Sequence, residues 1–154
     1  MIDLNPLISE VRAVIAATWP EVLPDGAGGG GGGILEAEHA DMVPWSDLAL
    51  PYAVILIEDV PLSGLAALDE LCFAPKVCVF FTDRVRGAST GIRDKLQSLI
   101  AAFWPADPLT VGQLLDVPRL EWSNALLPNQ VLAAKNASAR AGVVVLDVLV
   151  TEPD

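Results

Sequence analysis

The stretch LPYAVILIE, residues 50–58, does most to decide the fold, because its apolar residues follow one another almost without interruption. A strand with one wet face alternates polar and apolar residues, whereas a strand covered on both faces reads as a continuous apolar run. Pro51 lies at the entry of the run, where a strand tolerates proline. The stretch KVCVFFT, residues 76–82, has the same character. Both stretches therefore predict strands in the middle of a sheet.

Two amphipathic helices are predicted around these strands. Apolar side chains recur at three- to four-residue spacing over 6–18 and over 90–103. An Asn-Pro pair at 5–6 offers the first helix an N-cap side chain followed by proline. Trp-Pro pairs at 19–20 and 104–105 end the two helices. We expect both tryptophans to seal the helix ends against the sheet.

The remaining patterns predict further strands. A short strand is expected over 34–40, edge strands over 117–123 and 130–135, a loop over 136–140 and a long final strand over 142–151. The order of elements is helix, strands, helix, strands. This order favours an α+β fold, with a mainly antiparallel sheet of four to five strands and two amphipathic helices packed on one face.

The length of 154 residues predicts a single domain over 1–154. Six consecutive glycines at 28–33 have no lysine or serine placed as a phosphate-binding loop requires, so we expect a flexible loop over 24–34. A second, long loop is expected over 59–75. No stretch approaches the roughly 20 apolar residues of a membrane span, and no membrane partner is expected.

Charge is distributed unevenly along the chain. Twenty acidic residues against nine basic ones give a formal net charge of −11. Residues 1–75 contain twelve acids and one base, Arg12, whereas the basic residues cluster locally at Arg84, Arg86, Arg93 and Lys95. Such a charge balance argues against a protein that grips nucleic acid through many phosphate contacts. Solubility alone is an alternative reason for the acidic excess.

The residues that carry chemistry are few. A single histidine, His39, excludes sites that need two imidazoles, and two cysteines exclude a four-thiolate zinc site. Cys72 and Cys78 are predicted to be buried packing residues. Glu36 and Glu38 would share one face of a strand, and solvated carboxylates are the simplest interpretation. We therefore predict no catalytic residue, no cofactor and no metal site.

The layout as a whole resembles the tail terminator, or tail-completion, proteins of long-tailed bacteriophages, the group that includes the lambda minor tail protein U. The likeness lies in an opening helix, a variable loop, the strand at 50–55, the strand-to-helix passage from 77–82 into 90–103, and a closing strand over 143–150. It covers about 120 residues as a pattern of order and spacing. The glycine run and the segment 59–75 depart from the family pattern.

The resemblance implies a structural virion protein of the phage neck and tail, assembled in the host cytoplasm. Such a protein forms a ring, a homo-hexamer, that caps the tail tube and joins it to the head-connector or head-completion protein. DNA would only pass through the channel without specific contacts. Contacts between subunits or partners are expected to join the basic cluster to acidic residues of the first half of the chain, namely Glu36, Glu38, Asp59, Asp69 and Glu70.

Two other functions remain open on the sequence. One is another neck component, a head-closure or tail-to-head joining protein. The other is a small cytoplasmic α+β enzyme or ligand-binding domain that would use His39 with Glu36 and Glu38.

Overall fold

The computed structural model describes residues 3–24, 29–38, 42–45, 48–58, 72–84, 91–121 and 139–151. This part of the chain folds into two helices and seven strands: α1 (Asn5–Thr18), β1 (Ile34–Ala37), β2 (Tyr52–Glu58), β3 (Cys72–Phe73), β4 (Lys76–Arg84), α2 (Ile92–Phe103), β5 (Gln113–Leu114), β6 (Arg119–Glu121) and β7 (Ala139–Thr151). A 3-10 turn, Pro20–Val22, follows α1. The predicted α+β class is confirmed.

The sheet is built around β7. Strands β3 and β4 pair with β7 in one unbroken register, from Cys72 opposite Thr151 to Arg84 opposite Ala139. Strands β5 and β6 also pair with β7. They lie on its other side, because the N–H of Val148 donates to Pro75 while the carbonyl of its neighbour Asp147 accepts from Leu115.

The sheet is therefore five strands wide, in the order β1, β2, β3/β4, β7 and β5/β6. Strand β1 is parallel to β2, and the other described pairings are antiparallel. The sequence predicts a mainly antiparallel sheet. The short strand β3 continues the position of β4, and the short strands β5 and β6 form the edge beside β7.

Both helices lie on the same face of the sheet, as predicted. Their stripes pack with one set of strand side chains into a core that contains Leu7, Val11, Ile15, Leu96, Leu99 and Phe103 from the helices and Ile55, Val79, Phe81 and Val144 from the strands. The opposite face packs under Val43, Trp45, Leu48 and Leu50, and its strand residues include Tyr52, Phe80 and Cys78. Because β2 and β4 are buried on both faces, their continuous apolar runs are explained. Cys78 is buried, as expected of a packing residue.

Helix α1 begins differently from the prediction. Asn5 is the first helical residue, Leu4 takes the N-cap position, and no side chain caps the helix from there. Instead Asp3 Oδ1 accepts a hydrogen bond from the Asn5 N–H at 3.0 Å. The prediction of an Asn5 cap is wrong because the carboxylate two residues earlier already provides the oxygen acceptor.

The two tryptophans that end the helices behave differently. Trp19 is fully buried, contacts Phe81 with ring centroids 4.8 Å apart, and donates its indole N–H to the Lys95 carbonyl at 2.9 Å. Trp104 is 42% exposed, so the prediction that it seals its helix is wrong. Phe103 takes the buried position at the end of α2 instead, four residues after Leu99.

The described part of the glycine run, 29–33, differs from the free linker that was expected. Gly31 donates its N–H to Leu23 at 2.9 Å, Gly32 to Pro51 at 3.0 Å and Gly33 to Val22 at 2.7 Å. A Cβ on Gly31 would lie 2.6 Å from the Val22 oxygen and closer still to the Pro51 oxygen. This segment therefore uses glycine for close backbone packing between the 3-10 turn and the entry of β2.

Several predicted boundaries move. Strand β1 ends at Ala37 rather than 40, and α2 begins at Ile92 after Gly91, whose φ is +67°. The loop expected over 136–140 is wrong at 139–140, which belong to β7, and the loop expected over 59–75 is wrong at 72–73, which form β3. The two loop corrections share a cause. Residues 139–140 pair with the end of β4, and residues 72–73 pair with the other end of β7. Residues 74–75 connect β3 to β4 as a loop. Residues 59–71 and 136–138 of the two loops, and the strand expected over 130–135, lie outside the described residues.

Candidate functional site

A groove of about 530 Å³ lies between the start of α1 and the β1 edge of the sheet. Its apolar residues are Leu4 just before α1, Ile8 of α1, Ala37 of β1, and Ile55 and Ile57 of β2. The spacing of four residues from Leu4 to Ile8 and of two from Ile55 to Ile57 places each pair on one face. The groove is thus an apolar surface left open where α1 starts, beside the edge strand.

Glu36 and Glu38 both line this groove, as their two-residue spacing predicts. Glu36 forms an ion pair with Arg12, and the same guanidinium donates to the Ile34 carbonyl at 2.8 Å. Arg12 therefore holds β1 to α1 and neutralises one carboxylate. Glu38 is exposed.

The basic residues expected at contacts occupy another part of the molecule. Arg84 is exposed at the end of β4, and Arg93 is exposed in the first turn of α2. Lys95 forms an ion pair with Glu21 at 2.5 Å, which ties α2 to the 3-10 turn. The end of β4 pairs with the start of β2, whereas the groove lies along the second half of β2. Exposed Arg84 and Arg93 therefore lie toward one end of the sheet, next in sequence to Asp83 and Asp94. Glu36 and Glu38 lie toward the other end, where Arg12 pairs with Glu36.

The other residues predicted at contacts, and the histidine of the enzyme alternative, lie outside the described residues: Asp59, Asp69, Glu70, Arg86 and His39.

One surface was missed by the sequence interpretation. Between β5 and β6 the register with β7 shifts by two residues, so that 115–118 form a bulge on the edge of the sheet. Leu115 and Val117 in this bulge are 44% and 43% exposed. Arg119 follows at the start of β6 and forms an ion pair with Asp147. The pattern Leu-Asp-Val-Pro-Arg at 115–119 was a usable signal, because it places apolar residues in an edge segment.

Glu10 holds the segment that leads into this bulge. Its carboxylate accepts hydrogen bonds from the N–H and the hydroxyl of Thr110 and from the N–H of Val111. Desolvation acts to raise the pKa of Glu10, but these hydrogen bonds outweigh it and lower the pKa below its ordinary value. The middle of α1 thus fixes the path of the chain toward β5.

Within the residues described, no group of three or more histidine, cysteine, aspartate or glutamate side chains is placed to hold a metal ion. Among the helices of the same residues, none is both long and apolar enough to cross a membrane.

Comparison with solved structures finds that the chain is similar to a sheath/tube terminator of an extracellular contractile injection system, described as PVC and in its extended state. The TM-score is 0.45 and the sequence identity 12%, and the match covers 96% of this chain. The chain spans 57% of the length of that protein. No protein-family model matches the sequence. No curated protein matches it either.

Proposed function

We propose that the protein is a structural subunit of the neck of a long-tailed phage, a tail terminator that forms a ring on the end of the tail tube. In this role it works through surface complementarity, and it needs neither a cofactor nor a bond-making step. The ring, a hexamer by the family resemblance, stops growth of the tube and offers a surface to the head connector.

The observation that carries this proposal is the separation of charge along the sheet. Exposed Arg84 and Arg93 lie toward one end, while Glu36 and Glu38 line the groove toward the other. A surface with different patches at its two ends favours contacts in which each patch meets a different patch, either on the next subunit or on a tail or head partner. Repetition of such a contact closes a ring when the rotation between subunits allows it.

The order of the elements supports the same proposal. The resemblance to tail terminators rests on an opening helix, two central strands, a second helix and a closing strand. The chain contains these as α1, β2, β4, α2 and β7. The formal net charge of −11 favours a channel from which passing DNA is repelled rather than bound.

The test is the mass of the protein in solution at low and at high salt. We expect a ring mass at an ionic strength of about 0.01 M and smaller species at about 1 M, since the Debye length falls from about 30 Å to about 3 Å. Negative-stain images of the low-salt sample should contain rings with a central channel. A monomer at both salt concentrations, with no binding to isolated tail tubes, contradicts the proposal.

The ligand-binding alternative has one observation in its favour, the placement of two carboxylates on an apolar groove. It predicts that Glu38→Ala and His39→Ala abolish an activity and leave particle assembly unchanged. Assembly that fails with Glu38→Ala favours the terminator instead. The remaining alternative, another neck component such as a head-closure protein, differs from a tail terminator in its position and copy number in the particle. Labelling the protein within intact particles distinguishes these two alternatives.

A further inference from the structure

The two edges of the sheet carry complementary surfaces. The first edge is β1, beside the groove, and the second is the β5/β6 edge. With neighbouring strands about 4.8 Å apart, four spacings place the edges roughly 20 Å from each other. They are therefore separate surfaces of one molecule.

The β5/β6 edge offers two apolar side chains, the exposed carboxylate of Asp116 between them, and the guanidinium of Arg119. Leu115 and Val117 are nearly half exposed in the bulge, and Arg119 follows two residues later. The pair between Arg119 and Asp147 is a single contact from one terminal nitrogen of the guanidinium. A guanidinium has five N–H donors, so Arg119 retains the capacity to bind a second carboxylate.

The groove offers the complementary chemistry. Its apolar residues accept apolar side chains, and Glu36 and Glu38 lie beside them as acceptors for a cation. Because Arg12 already neutralises Glu36, Glu38 is the carboxylate that a docked arginine would contact.

We propose that the Leu115–Val117–Arg119 edge of one copy docks into the α1–β1 groove of the next copy, with Arg119 against Glu38. This interface rests on the proposed function, because it is the contact that joins neighbouring subunits of the ring. The occupant is a second copy of the chain, because the apolar pair and the cation of one edge match the apolar floor and the carboxylate of the other. Edges that differ give a contact that repeats around a ring.

The interface leaves the end of the sheet with Arg84 and Arg93 free for contacts with other proteins of the particle. Arg84 and Arg93 take no part in this edge-to-edge contact. They remain available to a tail or head partner with an acidic surface.

The experiment reverses one charge on each edge. Arg119→Glu places a carboxylate against Glu38, and Glu38→Arg places a cation against Arg119. We expect either variant alone to associate at least about a hundredfold more weakly than the unmodified chain at low salt. An equimolar mixture of the two variants should recover the assembly, because every contact then joins opposite charges. Sedimentation velocity measures the species in each sample.

The apolar part is tested by Leu115→Ser with Val117→Ser, which should weaken association without reversing any charge. Two variants serve as matched controls. Asp94→Lys reverses an exposed charge outside the interface, and Met42→Ser removes an exposed apolar side chain outside it. Arg93→Glu is made as a separate variant that tests the end of the sheet with Arg84 and Arg93. Both controls should assemble like the unmodified chain, and far-UV circular dichroism verifies that every variant is folded. Should the Leu115 and Val117 change disturb folding, Glu38→Arg at an exposed position still tests the contact.

The outcomes separate this interface from the proposed function. Loss of assembly with Arg93→Glu, but not with Arg119→Glu or Glu38→Arg, overturns the interface and leaves a ring in place. Failure of the mixed variants to assemble also overturns it. A chain that assembles through these edges but never binds tail tubes supports the interface and contradicts the terminator role. A chain that stays monomeric in every condition overturns both.

Discussion

At the scale of single residues, the buried phenol of Tyr52 gives a prediction about stability at alkaline pH. Its hydroxyl donates to the Trp45 carbonyl, and burial raises the pKa of Tyr52 to about 12, although the Thr82 hydroxyl beside it acts in the opposite direction. A raised pKa means that the folded state holds the proton more tightly than the unfolded state. The resulting stability is fully present below about pH 10 and is lost as the pH rises toward about 12.

Tyr52→Phe removes the hydroxyl and keeps the ring. We expect the free energy of unfolding at neutral pH to fall by about 1 kcal/mol, because one buried hydrogen bond is lost. The alkaline dependence between about pH 10 and about pH 12 should disappear from the variant. Urea unfolding at several pH values measures both effects.

The unmodified chain provides an independent control for Tyr52. It contains a single tyrosine, so the ultraviolet absorbance of tyrosinate reports this residue alone. A midpoint near pH 10 in the folded protein would contradict the buried, hydrogen-bonded phenol.

The Glu10 carboxylate gives a prediction about the free energy of unfolding at acidic pH. Its lowered pKa means that its contribution to stability is present above the ordinary value of 4.5 and is lost as the pH falls through the folded value. Glu10→Gln should lower the free energy of unfolding at neutral pH by about 1 kcal/mol or less, since the site is near the surface. The difference between variant and unmodified chain should shrink as the pH is lowered below 4.5. Unfolding curves at matched pH values test this, and a difference that is constant with pH contradicts it.

At the scale of elements, the glycine segment 29–33 packs closely against neighbouring backbone, although its composition suggests a flexible linker. Gly31→Ala forces a Cβ against three carbonyl oxygens, which belong to the backbone and have little freedom to move. We expect a loss of about 1–3 kcal/mol in the free energy of unfolding. Gly30→Ala is the matched control, because Gly30 belongs to the same run and is exposed. Thermal unfolding of both variants measures the difference, and equal effects would mean that 29–33 does not pack as described.

The elements that could be predicted from sequence are those whose burial determines their composition. Strands β2 and β4 are covered on both faces, so residues 52–57 and 77–81 are apolar throughout. Helix α1 buries residues four apart from Leu7 to Trp19, and this spacing shows in the sequence. Trp104 lies one residue beyond the corresponding stripe of α2, and a strict count of spacing would have predicted its exposure.

Other elements depend on contacts between distant parts of the chain. Strands β5 and β6 are two and three residues long, and their pairing with β7 makes them strands. The groove required β1 to lie parallel to β2 beside the start of α1, which no local pattern indicates. The sequence did predict that Glu36 and Glu38 share a face, and it gave no sign of the Arg12 ion pair with Glu36.

At the scale of the whole molecule, salt should act in opposite directions on the single chain, whose net charge is −11, and on the opposite-charge contacts proposed between copies. Screening reduces repulsion within each subunit, so the midpoint of thermal unfolding of the dilute monomer should rise by about 2–4 °C between about 0.01 M and about 0.15 M sodium chloride. The same screening should weaken assembly.

Scanning calorimetry on dilute samples measures the first response, and sedimentation measures the second. Glu38→Arg reduces the net negative charge by two and should show a smaller rise in the unfolding midpoint. A midpoint that falls as salt is added would mean that attractive pairs outweigh the acidic excess.

The position of β7 in the chain has a consequence for synthesis. Strand β7 contacts β3, β4, β5 and β6, yet it follows all of them in sequence. While the ribosome is still translating residues 139–151, β4 has an unpaired edge and β5 and β6 have no strand to pair with. The chain therefore completes its fold only after nearly all of these residues have left the exit tunnel, and a chain interrupted before that point exposes an edge prone to aggregation.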